Sequence, residues 1–155
     1  MKRATKRRPA AGFTLLELIF VLFIGAIIMS IGVKQFGKVQ IWHQVTNARD
    51  ALVYMGVRAQ SEAMKHGDLV RIEIWPDTNM AKIVTPSDSM LERVRFDSQF
   101  GVDVIGAAIK ACYSSRGFAL PSCTTTGLPQ RIGFVLVNDT AAAKVLPLGQ
   151  IEKIQ

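Results

Sequence analysis

Residues 13–33 read FTLLELIFVLFIGAIIMSIGV, and Glu17 is the only charged residue among them. At about 1.5 Å per residue, a helix of these 21 residues is about 32 Å long and matches the apolar core of a bilayer. A secretory signal peptide has a shorter apolar run, followed by a small-residue cleavage site. The stretch therefore predicts a membrane-spanning helix, which we place at residues 13–34.

The charge on either side of this segment predicts its orientation. The net charge of the chain is +7, and residues 1–12 contribute five basic residues and no acid. Residues 13–155 carry 14 basic and 12 acidic residues, so the high basicity does not describe a nucleic-acid surface on the head. Because positively charged flanks stay cytoplasmic, we expect the carboxy-terminal part of the chain on the far side of the membrane.

The residues around Glu17 form a motif. Gly12-Phe13-Thr14-Leu15-Leu16-Glu17, behind a short basic leader, resembles the class III leader junction of type IV pilins and type II secretion pseudopilins. The resemblance implies that residues 1–12 are a leader, that prepilin peptidase cleaves between Gly12 and Phe13, and that the new terminus at Phe13 is N-methylated. It also implies that the Glu17 carboxylate pairs with the α-amino group of Phe13 on a neighbouring subunit and sets the register of assembly. The alternative for Glu17 is a peripheral carboxylate that reaches the lipid headgroups.

Beyond residue 34 an apolar pattern continues at helical spacing. Its apolar residues recur every three or four positions: Val45, Ala48, Leu52, Met55, Ala59 and Ala63. This spacing predicts one buried face of an amphipathic helix, and Gly67 is suited to the left-handed stop that ends it. We therefore expect a helix over residues 13–65, with its second half packed on a globular head. Lys34 stands where the family often has a proline, so a bend at this point is left open.

After Gly67 the apolar period becomes two, which predicts strands. The expected strands are residues 70–75, 80–84, 102–105, 111–115, 131–137, 143–148 and 151–154. The last hairpin is expected to turn at residues 138–140, and residues 91–96 fit a strand or a helical turn. The fold class is α+β and pilin-like, with a long amino-terminal helix packed on an antiparallel β-sheet head. The head is placed at residues 35–155 and includes the helix to about residue 66.

A second motif and two cysteines lie in the carboxy-terminal third. Tyr113-Ser114-Ser115-Arg116-Gly117-Phe118 is similar to the H-type minor pseudopilins and the FimT-like group, the GspH/FimT family. Because the head is expected in the oxidising periplasm, a bridge between Cys112 and Cys123 is chemically permitted. The alternative is a pair of free thiols, with Cys112 buried on a strand.

The sequence gives little indication of a catalytic, metal-binding or cofactor-binding site. His43 and His66 lie 23 residues apart on the expected helix, about 34 Å, so they cannot share a metal ion. The sequence has no nucleophile–base–orienter set and no phosphate-binding glycine loop. We therefore expect no enzyme, no metal and no cofactor, and we interpret Trp42 and Trp75 as packing residues.

Together the resemblances imply a structural protein. It would be a minor pseudopilin of a type II secretion pseudopilus, single-pass in the bacterial inner membrane with a periplasmic head, and assembled at or near the filament tip to support protein secretion. The implied partners are other pilins or pseudopilins in a hetero-oligomeric filament, prepilin peptidase and inner-membrane lipid.

Two other functions remain as alternatives. The first is a FimT-like minor pilin of a type IV pilus, with a role in pilus priming or DNA uptake. FimT-like proteins that capture DNA use a Gly-Arg-x-Arg tail, whereas residues 149–153 read GQIEK, so DNA is disfavoured as a partner. The second is a membrane-anchored head that never assembles, which requires the bond between Gly12 and Phe13 to stay uncut.

Overall fold

The computed structural model describes residues 13–125, 127–147 and 149–154, and of residues 31–36 it gives only the backbone. The elements in these residues are α1 (Leu15–His66), β1 (Val70–Trp75), β2 (Met80–Val84), β3 (Met90–Arg95), α2 (Phe96–Phe100), β4 (Asp103–Ile105), β5 (Ile109–Tyr113), β6 (Gln130–Leu136), β7 (Asp139–Val145) and β8 (Ile151–Ile154). A short 3-10 turn, Pro76–Thr78, joins β1 to β2. The chain divides into two units, Met1–Lys38 and Val39–Gln155.

In the second unit, α1 packs on the strands through one apolar face. The residues of this face are at most 1% exposed: Val45, Ala48, Leu52, Met55, Ala59 and Ala63. They are the positions that the helical spacing predicts, so that prediction is confirmed. The helix ends at His66 because Gly67 adopts a φ of +67°, a backbone conformation that residues other than glycine rarely adopt.

The first sheet has the strand order β3-β2-β1-β5, with antiparallel neighbours throughout. The predicted hairpin of residues 70–75 and 80–84 is confirmed in both of its strands. Residues 91–96, for which the sequence left two possibilities, contain the end of β3 and the first residue of α2. The chain leaves the sheet there because the fully buried Phe96 turns inward and packs edge-on against Phe134, with ring centroids 5.2 Å apart.

The second sheet has the order β4-β6-β7-β8 and is also antiparallel. The described residues of the head thus form two four-stranded sheets, where the sequence predicted an antiparallel β-sheet head without dividing it. The predicted turn at residues 138–140 is wrong, because Leu136 pairs with Asp139 and leaves only Val137 and Asn138 between the strands. Val137 takes a φ of +58°, and a positive φ at this position lets a two-residue loop follow the strand twist. The predicted strand at residues 143–148 begins earlier and ends at Val145, and Leu148 lies outside the described residues.

One apolar core joins these layers. Its members come from α1, from both sheets and from α2, and the largest fully buried side chains include Leu52, Ile72, Phe96, Tyr113 and Phe134. Each such side chain contributes about 1.5–3 kcal/mol when removed from water. The head is therefore an α+β structure in which one helix face closes the core over two antiparallel sheets.

Candidate functional site

The first candidate site is the apolar surface of residues 13–29. Its large apolar side chains are between 47% and 83% exposed: Phe13, Leu15, Leu16, Leu18, Ile19, Phe20, Val21, Leu22, Phe23, Ile24, Ile27, Ile28 and Met29. They surround the helix on all sides, unlike the single apolar face of residues 45–63. An apolar surface of this extent is unfavourable in water by about 25 cal/mol per Å², so the segment requires lipid or protein around it.

Among the described residues, no helix combines the length and the apolarity that crossing a membrane requires.

Glu17 lies in the first turn of α1, where a carboxylate interacts favourably with the positive end of the helix dipole. The Glu17 backbone N–H donates a hydrogen bond to Thr14 Oγ1 at 3.2 Å, so Thr14 caps the helix. Thr14-Leu15-Leu16-Glu17 has the spacing of a capping box, a signal that reasoning on the charge alone missed. Within the part of the chain that the structure describes, no ion pair involves Glu17.

The expected processing site is only partly within the described residues. Phe13 is described and is 83% exposed, whereas Gly12 lies outside the described residues. Cleavage between Gly12 and Phe13, and methylation of the new terminus, therefore stay predictions. The pairing of Glu17 with the Phe13 amine of a neighbouring subunit has the same status.

The second candidate site is the loop after β5, which a disulfide ties to that strand. Cys112 on β5 is bonded to Cys123, and their Cα atoms are 5.7 Å apart. The loop runs beside β5, where Leu120 N–H donates to the Cys112 carbonyl and Thr125 N–H to the Lys110 carbonyl, both at 2.8 Å. In return, the backbone N–H of Lys110 donates to Thr125 Oγ1 at 2.8 Å. The loop therefore takes the place of a neighbouring strand beside β5.

The motif at residues 113–118 forms the tight turn that leads into this loop. Ser114 N–H donates to the Phe118 carbonyl and Gly117 N–H to the Ser114 carbonyl, both at 2.8 Å. The buried Tyr113 hydroxyl donates to the carbonyl of Gly149. Burial raises the pKa of the Tyr113 hydroxyl well above its usual value, so it stays a neutral donor. The Phe118 ring is left 70% exposed at the tip of the turn.

The third candidate site is a charged network on the outer face of the first sheet. Glu73 forms ion pairs with Arg71 at 2.8 Å and with Lys82 at 2.9 Å, and Arg71 also contacts Asp88. Burial raises the pKa of the Glu73 carboxyl, but hydrogen bonds from Lys82 and Arg71 outweigh it and hold the pKa below the usual 4.5. The cations nearest Glu73 are thus largely neutralised, and this arrangement is structural.

The fourth candidate site is a groove of about 610 Å³ on the outer face of the second sheet. Small residues form its floor, because Gly133 on β6 and Ala142 on β7 lie side by side in the paired strands. Trp42 on α1 and Ile105 on β4 rise at its edges and are 56% and 54% exposed. Trp42 therefore lies outside the core, and its interpretation as a packing residue stays a prediction. An exposed apolar groove of this size suits the apolar side chains of another protein.

The described residues offer no metal centre, since no three histidine, cysteine, aspartate or glutamate side chains among them lie close enough to hold a metal ion. The two histidines are used otherwise. His43 packs its ring edge-on against Trp42, with ring centroids 5.1 Å apart. His66 lies 3.1 Å from Glu62 on the last turn of α1.

Comparison with known proteins relates these features to a family motif and a fold. Residues 7–33 match the prokaryotic N-terminal methylation motif. No curated protein matches the sequence. The structure is similar to the type IV minor pilin FimU of Pseudomonas aeruginosa, with a TM-score of 0.55, 14% identity, and coverage of 73% of this chain and 90% of that one. It is also similar to the minor pseudopilin EpsH from the Type 2 Secretion System of Vibrio cholerae, with a TM-score of 0.52, 8% identity, and coverage of 72% and 96%. The chain therefore carries the prokaryotic N-terminal methylation motif at its amino terminus and has the pilin fold.

Proposed function

We propose that this chain is a minor pseudopilin of a type II secretion pseudopilus. It is inserted in the inner membrane through residues 13–34, cleaved between Gly12 and Phe13 by prepilin peptidase, and methylated on the Phe13 amine. It is then assembled at or near the filament tip, with its head in the periplasm. The observation that carries this proposal is the methylation motif at residues 7–33, which includes the all-round apolar helix surface of residues 13–29.

The exposed apolar surface of residues 13–29 favours insertion into the membrane and packing in the filament, because both remove it from water. In the membrane the side chains of residues 13–29 contact lipid tails, and in the filament they contact the same segment of neighbouring subunits. Lipid and protein are both apolar, so the transfer between them costs little, and close packing decides which one is favoured.

Glu17 is the polar exception in that surface and sets the register. Cleavage creates a positive amine at Phe13, four residues before Glu17 and two residues before the start of α1. Two opposite charges in an apolar medium attract strongly, and each is costly when it stays unpaired. Pairing between the Glu17 carboxylate of one subunit and the Phe13 amine of the next therefore penalises every other axial position. Neighbouring pilins or pseudopilins are the partners that this arrangement requires.

The second candidate function is a minor pilin of a type IV pilus, which the likeness to FimU supports. Processing, membrane insertion and filament entry are the same in both functions, so the two differ in the machine that recruits the subunit. A role in DNA uptake is not supported by the tail, because residues 149–153 carry one lysine and one glutamate and no arginine.

Mass spectrometry of the protein from its native membranes tests the proposal. The expected mature chain lacks residues 1–12 and begins with a methylated Phe13. A Gly12→Leu variant should keep its leader, because a side chain at this position blocks the close approach of the peptidase. Ala10→Leu is the matched control and should be cleaved normally. An intact Met1 in the wild-type protein overturns the proposal.

Filament entry is tested with Glu17 variants. Glu17→Gln keeps the size of the side chain and removes its charge, whereas Glu17→Asp keeps the charge. We expect Glu17→Gln to be processed but absent from filaments, and Glu17→Asp to enter them in part. Normal filament entry of Glu17→Gln refutes the role of the charge. Co-purification of the processed chain with minor subunits of secretion pseudopili, as opposed to those of pili, separates the two candidate functions.

A further inference from the structure

The two sheets of the head have four edge strands, and these differ in how well they are covered. The first sheet ends in β3 and β5, and the second ends in β4 and β8. An edge strand presents backbone N–H and C=O groups that its sheet leaves unpaired, and proteins generally cover or block such edges. An edge that stays open is therefore a candidate for pairing with another chain.

The outer edge of β5 is covered by the disulfide loop. The carbonyl of Lys110 accepts from Thr125 N–H, and the carbonyl of Cys112 accepts from Leu120 N–H, both at 2.8 Å. The N–H of Lys110 donates to Thr125 Oγ1 at 2.8 Å, and the N–H of Cys112 donates to Thr124 Oγ1 at 3.3 Å. Both outward-facing residues of β5 thus have their donor and their acceptor satisfied.

The edges of the second sheet are also covered. On β4, Val104 N–H donates to Asn79 Oδ1 at 2.6 Å, and the Asn79 amide donates to Asp103 Oδ1 at 3.0 Å. On β8, Arg49 of α1 donates to the Ile154 carbonyl at 3.4 Å. These contacts cover β4 at Val104 and β8 at its last residue.

The outer edge of β3 is different. Glu92–Arg95 forms a regular ladder with β2, after a bulge at the start of the strand. Among the described residues, the backbone of residues 90–94 makes no hydrogen bond outside this ladder. In an antiparallel ladder alternate residues direct their N–H and C=O groups away from the neighbouring strand. The outer edge of β3 thus presents a short row of unpaired backbone N–H and C=O groups.

The side chains of β3 specify what can pair with this edge. Arg93 is exposed, lies directly opposite Lys82 on β2, and has no acidic partner within the described residues. Val94 points to the opposite face and is 9% exposed at the margin of the core. Glu92 on that face is already paired with Arg58 at 3.0 Å. A strand added here meets a cation on one face and an apolar residue on the other.

Pairing with the β3 strand of a second copy is disfavoured by charge. The central registers of an antiparallel pair of two β3 strands place Arg93 opposite Arg93, Arg93 opposite Arg95, or Glu92 opposite Glu92, and like charges directly opposite each other are destabilising. A strand that carries a carboxylate at this position gives Arg93 an acidic partner and gains a charge-assisted hydrogen bond.

We propose that the outer edge of β3 binds an extended segment of another protein by strand addition. The segment has an acidic residue opposite Arg93 and an apolar residue opposite Val94, so its pattern alternates between acidic and apolar residues. Backbone hydrogen bonds supply affinity, and the two faces supply selectivity. Repulsion between like charges disfavours a second copy of the chain and leaves the edge open to this partner.

The test uses the full chain in detergent micelles and a synthetic six-residue peptide of alternating glutamate and valine, acetylated and amidated. We expect saturable binding, with shifts of the backbone amide NMR signals centred on residues 92–95. Arg93→Glu should weaken binding about tenfold or more and should instead bind the peptide in which lysine replaces glutamate. Arg116→Glu, an equal charge change at an exposed site, is the matched control and should bind as the wild type does.

Two further peptides test the backbone pairing. One peptide is N-methylated on the valine amides, and the other is N-methylated on the glutamate amides. Alternate residues of a strand direct their N–H groups to the same edge, so only one of the two peptides keeps free N–H groups on the edge that faces β3. We expect one peptide to bind and the other to fail. Equal behaviour of the two peptides, equal binding of glutamate and lysine peptides to the wild-type chain, the absence of binding, or shifts centred outside β3 each overturn the proposal.

Discussion

Replacing Cys112 and Cys123 together by serine should remove a large part of the stability of the head. The two residues are 11 positions apart, and closing a loop of this length removes unfolded-chain entropy equivalent to about 2.8 kcal/mol at about 25 °C. In the variant the loop keeps its hydrogen bonds to residues 110 and 112 and its bridge between Ala119 and Tyr113, but it loses the covalent link. We therefore expect the free energy of unfolding to fall by about 3 kcal/mol, and the amide of Lys110 to exchange its hydrogen faster.

The assay is denaturant unfolding of the full chain in detergent micelles, followed by tryptophan fluorescence. Wild-type protein with a reductant should unfold at the same denaturant concentration as the double variant, which separates the loss of the cross-link from any effect of the serines. Ser122→Ala, an exposed change within the same loop, is the matched control and should stay within about 0.5 kcal/mol of the wild type. A double variant as stable as oxidised wild type refutes the assignment of this loop as a cover held by the disulfide.

The remaining predictions concern the core and its polar contacts. Leu52→Ala should cost about 3 kcal/mol because Leu52 is fully buried, whereas Val57→Ala on the exposed side of the same helix should change stability by less than about 0.5 kcal/mol in the same unfolding assay. Tyr113→Phe should cost about 1.5 kcal/mol, because it leaves the Gly149 carbonyl without its buried donor; an unchanged unfolding midpoint contradicts this. The lowered pKa of Glu73 stabilises the fold above the unfolded-state pKa of about 4.5, and this stabilisation is lost as the pH falls through the folded-state pKa. Glu73→Gln should therefore be about 1.5 kcal/mol less stable than wild type at about pH 7, and the difference should shrink on acidification below about pH 4.5; a gap that does not depend on pH argues against the ion pairs.

The helix and several strand positions could be predicted because their signals are local and periodic. The buried face of α1 follows from apolar spacing alone, and β2 and β8 were placed at their observed bounds by period-two alternation and flanking turn residues. The end of α1 could be predicted because Gly67 is the residue type that a left-handed cap favours.

Features that depend on tertiary packing were missed. Asn138, Asp139 and Thr140 are typical turn residues, yet Asp139 and Thr140 pair in the ladder because Val137 accepts a positive φ. The division into two sheets depends on which strands meet in space, and no local pattern encodes that. The exposure of Trp42 could not be predicted either. A large aromatic side chain is usually well buried, and whether it is covered depends on the tertiary arrangement of the helix and the second sheet.

Asn79 gives the head a mechanical property. Its backbone adopts a φ of +49°, which asparagine tolerates, and its amide both accepts from Val104 and donates to Asp103 on β4. Its carbonyl accepts from Phe96 N–H at 2.8 Å. The side chain of Asn79 thereby ties a turn of the first sheet to the edge of the second, so shear between the sheets must break its two hydrogen bonds to β4. A force applied to one sheet is therefore passed to the other through Asn79 as well as through the shared core.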